Sequence, residues 1–185
     1  FLSVLLSMTM LFALVACAST NNNSSNDGSQ DTSTNDPIVL GLICGLTGAQ
    51  PLEGQHTQEA VEMAIDEINS AGGVLGRELD FIVLDDALSA DQDIVCMTNL
   101  GENEDVVAVM GPPRTSGITA VSSVVLEYGI PTLVSGTGTS VYDLNNEYMF
   151  RIRASDSIFA EIATKYMVEN LGCTKIGVMY NYDDF

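Results

Sequence analysis

"VVAVMGPPRTSGITAVSSVV", residues 106 to 125, changes character in its middle. The apolar run 106–110 has strand composition and stops at Gly111. Two prolines, an arginine and two hydroxyls follow, and helical periodicity resumes at about residue 116, running to about 128. Strand, tight turn and helix in direct succession mark one step of an alternating α/β chain. Thr115 and Ser116 stand at the amino end of that helix, where unpaired backbone N–H groups and the helix dipole favour an anion. Either hydroxyl equally suits a simple N-cap. The turn thus has two readings, a carboxylate seat or a helix start.

The same alternation extends on both sides. "IVLGLIC" (38–44) is an unbroken apolar run, the pattern of a parallel strand buried on both faces. Residues 55–71 place Val61, Ala64, Ile65, Ile68 and Ala71 on one helical stripe, and Gly72-Gly73 supplies the stop. A second strand is expected at 79–84. Ser89 and Gln92 have capping-box spacing for a helix over 90–101. Further strands are expected at 131–134, 148–153 and 175–180, with a helix over 157–170. Alternating strands and helices joined by right-handed crossovers give an open parallel sheet covered by helices on both faces. Ligands bind beyond the carboxyl ends of such strands. Three polar, glycine-containing loops are expected there: 45–54, 111–117 and 135–140.

Composition narrows the ligand. The chain has 185 residues, with 6 Lys+Arg against 25 Asp+Glu and a formal net charge of −19. Nucleic acid is excluded as a partner, because phosphate binding needs a basic footprint. No GxGxxG follows the first strand and no GxxxxGK[ST] occurs, so nucleotide cofactors lack their motifs. "SGTGTS" (135–140) has the flavour of a phosphate loop without a nearby lysine. Its glycines and hydroxyls, facing those of the 111–117 turn, suit a small zwitterion better than a polyanion. Nucleophilic catalysis lacks its parts: His56 is the one histidine, and no G-x-S-x-G elbow is present. Asp85 and Asp86 end the second strand as neighbours that point to opposite sides, which suits turn hydrogen bonding better than acid/base work. Neither an enzyme nor a cofactor or metal site is expected.

The amino-terminal part reads separately. Residues 1–16, "FLSVLLSMTMLFALVA", carry no charge and form the apolar core of a secretory signal peptide, truncated at its start. "LVAC" at 14–17 resembles a bacterial lipobox, which makes Cys17 the expected lipidation site. Residues 17–36 are then a lipidated Cys and a disordered tether of Asn, Ser, Thr and Asp. The folded part is expected on the extracytoplasmic face of the cell membrane. Cys44, Cys96 and Cys173 read as buried free thiols, or as holding one disulfide.

At "AIDEINSAGGVLGRELDFIVLDD" (64–86) the chain resembles the substrate-binding subunits of ABC transporters for branched-chain and related amino acids. The likeness runs more loosely through "VVAVMGPPRTSG", "GIPTLVSGTGTS" and "YMFRIRASDS". It implies the type I periplasmic-binding-protein fold, with residues 37–153 as the first lobe and 154–185 as the start of the second. It further implies a branched-chain or related small amino acid, or an amide-like ligand, and ABC-transporter permease subunits as partners. By the same likeness the ligand is contacted by Thr115, Ser116, Thr137, Gly138 and Thr139, with Glu53 at the place of a covering aromatic residue and Phe185 at the second lobe's edge. A carboxylate at position 53 either favours a polar or cationic side chain or points into water. A ligand-sensing domain of the same fold is the alternative function. A disulfide found in some relatives is absent, since Leu88 and Arg114 hold its places.

Overall fold

A computed structural model describes residues 36–180. Five parallel strands form one sheet: β1 Ile38–Cys44, β2 Leu79–Asp85, β3 Val106–Met110, β4 Thr132–Val134 and β5 Met149–Arg151, in the order β2-β1-β3-β4-β5. Between them run α1 (Pro51–Ser70), α2 (Ala90–Gly101), α3 (Thr115–Tyr128) and the short α4 (Ser140–Asp143). After β5 come α5 (Asp156–Lys165) and a π-helical turn, Tyr166–Asn170.

Strand β1 lies inside the sheet, paired with β2 from Ile38↔Leu79 to Cys44↔Asp85 and with β3 on its other side. Its last residues, Leu42, Ile43 and Cys44, are each at most 2% exposed, as the continuous apolar run predicts. Successive side chains of a strand face opposite ways, so Ile43 and Leu42 enter different layers. Ile43 belongs to the main core with Met97 and Leu100 of α2, Val109 of β3, and Val121 and Val125 of α3. The chain steps from β1 outward to β2, then back across β1 to β3. Right-handed crossovers therefore put α1 on one face and α2 and α3 on the other. Ile65, on the predicted stripe of α1, is buried.

Several boundaries differ from expectation for identifiable reasons. Helix α1 begins at Pro51, four residues early, because proline suits the first helical position and lacks the N–H that would go unpaired there. Glu53 and Gly54, expected in a loop, thus lie in the first turn of a helix. Gly54 is buried against the Gly45 carbonyl, in space a β-carbon would fill. Ser89 precedes α2 as foreseen, yet its side chain makes no cap bond. The capping box fails because the Ser89 N–H that Gln92 would accept already donates to the Asp86 carbonyl at 2.9 Å. Residues 175–180, expected as a strand, have no strand partner among the described residues, and Val178 and Met179 stand 82% and 98% exposed. Cys44, Cys96 and Cys173 are free thiols, the first two buried.

The two aspartates at the end of β2 do separate. Asp86 turns inward, fully buried, and meets Asp93 of α2, itself 3% exposed. As carboxylates both would be acceptors alone, and Asp86 Oδ2 and Asp93 Oδ1 find no donor among the described residues. A proton held on Asp93 supplies one. Burial first, then the hydrogen bond and negative charge of Asp86, push the Asp93 pKa up to about 8. Burial, with the charge of Asp86 next, also raises the thiols of Cys44 and Cys96 to about 11, so both stay protonated and inert.

Because the folded pKa of Asp93 is raised, the native state holds a proton that the unfolded chain releases near pH 4. This contribution to stability is full below about pH 4 and lost as pH rises toward about 8. Asp93→Asn supplies a permanent donor in nearly the same shape. The melting temperature of Asp93→Asn minus that of the wild type should rise between about pH 5 and about pH 8.5. A difference that stays flat across that range would mean the pair holds no shared proton.

Candidate functional site

The carboxyl ends of β1, β3, β4 and β5 lie along one edge of the sheet, and the loops beyond them form the site. The turn after β3 contains a cis Gly111-Pro112 peptide and leads into α3 at Thr115. The first intrahelical bond of α3 is from the Ile118 N–H to the Arg114 carbonyl, 2.9 Å. The N–H groups of Thr115, Ser116 and Gly117 therefore precede the helical ladder and carry the positive end of the helix dipole.

Thr115 does not cap its own helix. Its Oγ1 instead accepts a hydrogen bond from the Gly138 N–H at 3.1 Å, joining the turn after β3 to the loop after β4. The helix-start reading of this hydroxyl is thereby removed. Gly138 is required at this contact: a β-carbon on it would lie 2.6 Å from Thr115 Cγ2 and 2.8 Å from Oγ1. Thr115 Oγ1 still has its own proton, which meets no acceptor among the described residues.

The loop after β4 is held from three sides. Thr137 is buried, and its hydroxyl donates to Asp156 Oδ2 at 2.8 Å while its carbonyl accepts the Asp156 N–H at 3.0 Å. Arg151 donates from Nη1 to the Gly138 carbonyl at 3.1 Å and lies over the Tyr142 ring, 3.5 Å from its centroid. Ser135 Oγ reaches the Pro113 carbonyl at 3.4 Å. Ser116 and Thr139 are exposed, and Thr139 precedes α4 without making a side-chain cap bond.

Beside this junction lies a cleft of about 380 Å³. Cys44 and Gly45 form its floor, Glu53, His56 and Thr57 of α1 one wall, and Pro113, Arg114, Ser135 and Arg153 the other. Leu88 also lines it, so residues 88 and 114 face one space. Thr115 and Thr137 lie outside this lining, next to Arg114 and Ser135. Arg114 donates to Gln50 Oε1 at 2.6 Å, linking the turn after β3 to the start of α1.

Asp85 is the outward partner of Asp86 and fastens the loop after β1. It accepts from the Leu46 N–H (2.8 Å), the Thr47 N–H (3.2 Å), the Thr47 hydroxyl (2.6 Å) and the Ala87 N–H (2.9 Å). Partial desolvation acts to raise its pKa, but these bonds, that of the Thr47 hydroxyl foremost, outweigh it and hold the carboxyl below its usual range. Turn hydrogen bonding is thus what Asp85 does.

Of the residues singled out from the sequence, Thr115, Ser116, Thr137, Gly138 and Thr139 are gathered at one junction, and Glu53 lines the adjoining cleft. Phe185 and Cys17 lie outside the described residues. Sequence reasoning passed over Arg153 and Asp156. Arg153 had a signal in scarcity, as one of six Lys and Arg in the whole chain; Asp156, one of 25 acidic residues, had none.

A family model described as periplasmic binding protein matches residues 37–185, and the chain belongs to that family. An amino acid binding protein of Pseudomonas aeruginosa is 28% identical over 149 residues, covering 80% of this chain and 40% of that protein. The Leu/Ile/Val-binding protein BraC3 of Rhizobium johnstonii is 30% identical over 145 residues, covering 77% and 39%. Among solved structures, the branched-chain amino acid transporter substrate binding protein LivJ of Streptococcus pneumoniae, in complex with isoleucine, superposes with a TM-score of 0.67 at 26% identity. It covers 74% of this chain and 39% of that one. The chain spans about 40% of the length of the curated relatives it matches.

The Thr115–Gly138 bond can be tested without any ligand. Thr115→Val keeps the shape but removes the acceptor, leaving the half-buried Gly138 N–H without its partner. Urea unfolding should show a loss of about 1 kcal/mol, with Thr115→Ser close to wild type. A loss confined to Thr115→Ser, with Thr115→Val close to wild type, would place the contribution of Thr115 in its methyl group instead.

Proposed function

We propose that this chain is the ligand-binding first lobe, with the start of the second, of an extracytoplasmic lipoprotein that captures an amino acid and delivers it to an ABC-transporter permease. The reading rests on one observation above the others. At the ligand-binding edge of the sheet, a helix start with three unladdered N–H groups stands beside a threonine hydroxyl whose proton is still available. That set of donors suits an α-carboxylate, which accepts hydrogen bonds and is favoured by the dipole of α3.

Thr115 and Ser116 are assigned to the ligand carboxylate, and the Gly138 and Thr139 backbone with the Thr139 hydroxyl to its other polar groups. Thr137 acts through Asp156, keeping the loop in place. Glu53 is assigned to the ligand from the first turn of α1, and Phe185 is assigned to ligand contact from the second lobe. Relatives named as amino acid binding and Leu/Ile/Val-binding proteins support an amino-acid ligand. The boundary near 153 is supported by the exposure of Phe159 and Ile162 in α5 and of Tyr166 in the π-helical turn after it, each more than half exposed. Binding would then shift an open–closed equilibrium between two lobes, with no chemistry on the ligand. Cys17 carries the lipid that keeps the protein at the membrane.

Two measurements test this. With the intact protein, amino acids should raise the melting temperature in a saturable way, and Thr115→Ala should weaken the best ligand about tenfold or more. Absence of any shift across the amino acids would remove the reading. Cys17→Ala in an expressing bacterium should move the protein out of the membrane fraction; a processed variant that stays there would remove the lipid anchor.

A further inference from the structure

The lining of the cleft beside the Thr115–Gly138 junction is richer in cationic side chains than the chain as a whole. Formal net charge is −19 overall. Yet the cleft lining contains Arg114, Arg153 and the sole histidine, His56, against one carboxylate, Glu53. Two of the six Lys and Arg of the whole protein therefore converge on about 380 Å³. Within the lining two guanidiniums face one carboxylate, while the charges of Asp85 and Asp86 reach the floor at Cys44 from below. Arg153 makes no ion pair or hydrogen bond among the described residues, although carboxylates are four times as numerous as cations. A guanidinium presents planar paired donors matched to a carboxylate, and a cleft concentrates its field where bulk water would screen it.

An amino acid with an aliphatic side chain offers this arrangement nothing: its α-carboxylate is assigned to Thr115 and the start of α3, and its net charge is zero. An amino acid whose side chain carries a second carboxylate offers an acceptor that the unpartnered Arg153 guanidinium can take. Resting on the amino-acid reading above, we propose that the preferred ligand is acidic, with its side-chain carboxylate held by Arg153 and supported by the charge of Arg114. Glu53 then faces the ligand ammonium rather than selecting a cationic side chain.

Calorimetry on the intact protein with L-leucine, L-glutamate, glutarate and L-arginine decides this. L-Glutamate should bind at least about tenfold tighter than L-leucine, with an affinity that falls as salt is raised. Arg153→Gln should remove that advantage and the salt dependence while leaving L-leucine within about threefold of wild type, and Arg153→Lys should restore part of it. Arg153 is exposed at the end of β5, so these variants keep the core intact. L-Leucine binding as tightly as L-glutamate, or a preference for L-arginine, overturns the acidic ligand and leaves the amino-acid reading standing. An equal loss for both ligands in Arg153→Gln overturns the role of Arg153. Binding of glutarate with no binding of any amino acid supports the anion-binding cleft and removes the amino-acid reading instead.

Discussion

Everything at the binding edge depends on β1 being hydrogen-bonded on both sides by parallel neighbours. With β2 and β3 along its two edges and apolar layers on its two faces, β1 has no freedom to slide or turn. A one-residue slip would carry Leu42 and Cys44 into the layer built for Ile43. Parallel pairing further requires that the loops after β1, β3, β4 and β5 emerge on the same side. The site is thus a consequence of strand direction before any functional side chain is considered.

The adjacent aspartates at the end of β2 show how the pleat turns sequence neighbours into parts of different systems. Asp85, facing the loops, collects four hydrogen bonds and stays ionised. Asp86, one residue on, is buried and meets a second carboxyl that burial keeps protonated. The first fixes the loop that forms the cleft floor. The second places a carboxyl pair between β2 and α2, close to Gly117 of α3. Polar groups beneath a ligand edge thereby join three elements that apolar packing alone would let shift.

At the junction of the second and third loops, a threonine at the start of α3 is spared from capping and accepts a backbone N–H from across the site. The bond leaves the hydroxyl proton and the early N–H groups of α3 facing the same space. Arg151 and Asp156, both outside the loop they hold, fix the backbone of residues 137–138. A small polar ligand meets donors already in place, so less ordering is needed when it binds.

The sequence by itself determined the alternation of strands and helices, the order of the ligand loops, and the gathering of Thr115 and the 137–139 segment on one edge. Apolar runs and helical stripes are local signals, and right-handed crossovers convert their order into a parallel sheet. Tertiary structure alone decided what each polar group does. Whether Thr115 capped its helix depended on Gly138, 23 residues away, while the Ser89–Gln92 box and the place of Glu53 turned on nearer competitors, the Asp86 carbonyl and Pro51. Residues 175–180 have strand composition yet form no strand, because a strand is made by its neighbour. Arg114 and Arg153 are separated by 39 positions in the chain and face one cleft because β3 and β5 point the same way. Hydrogen bonds and charges act through space, so their pairing becomes legible when the backbone has brought distant residues together.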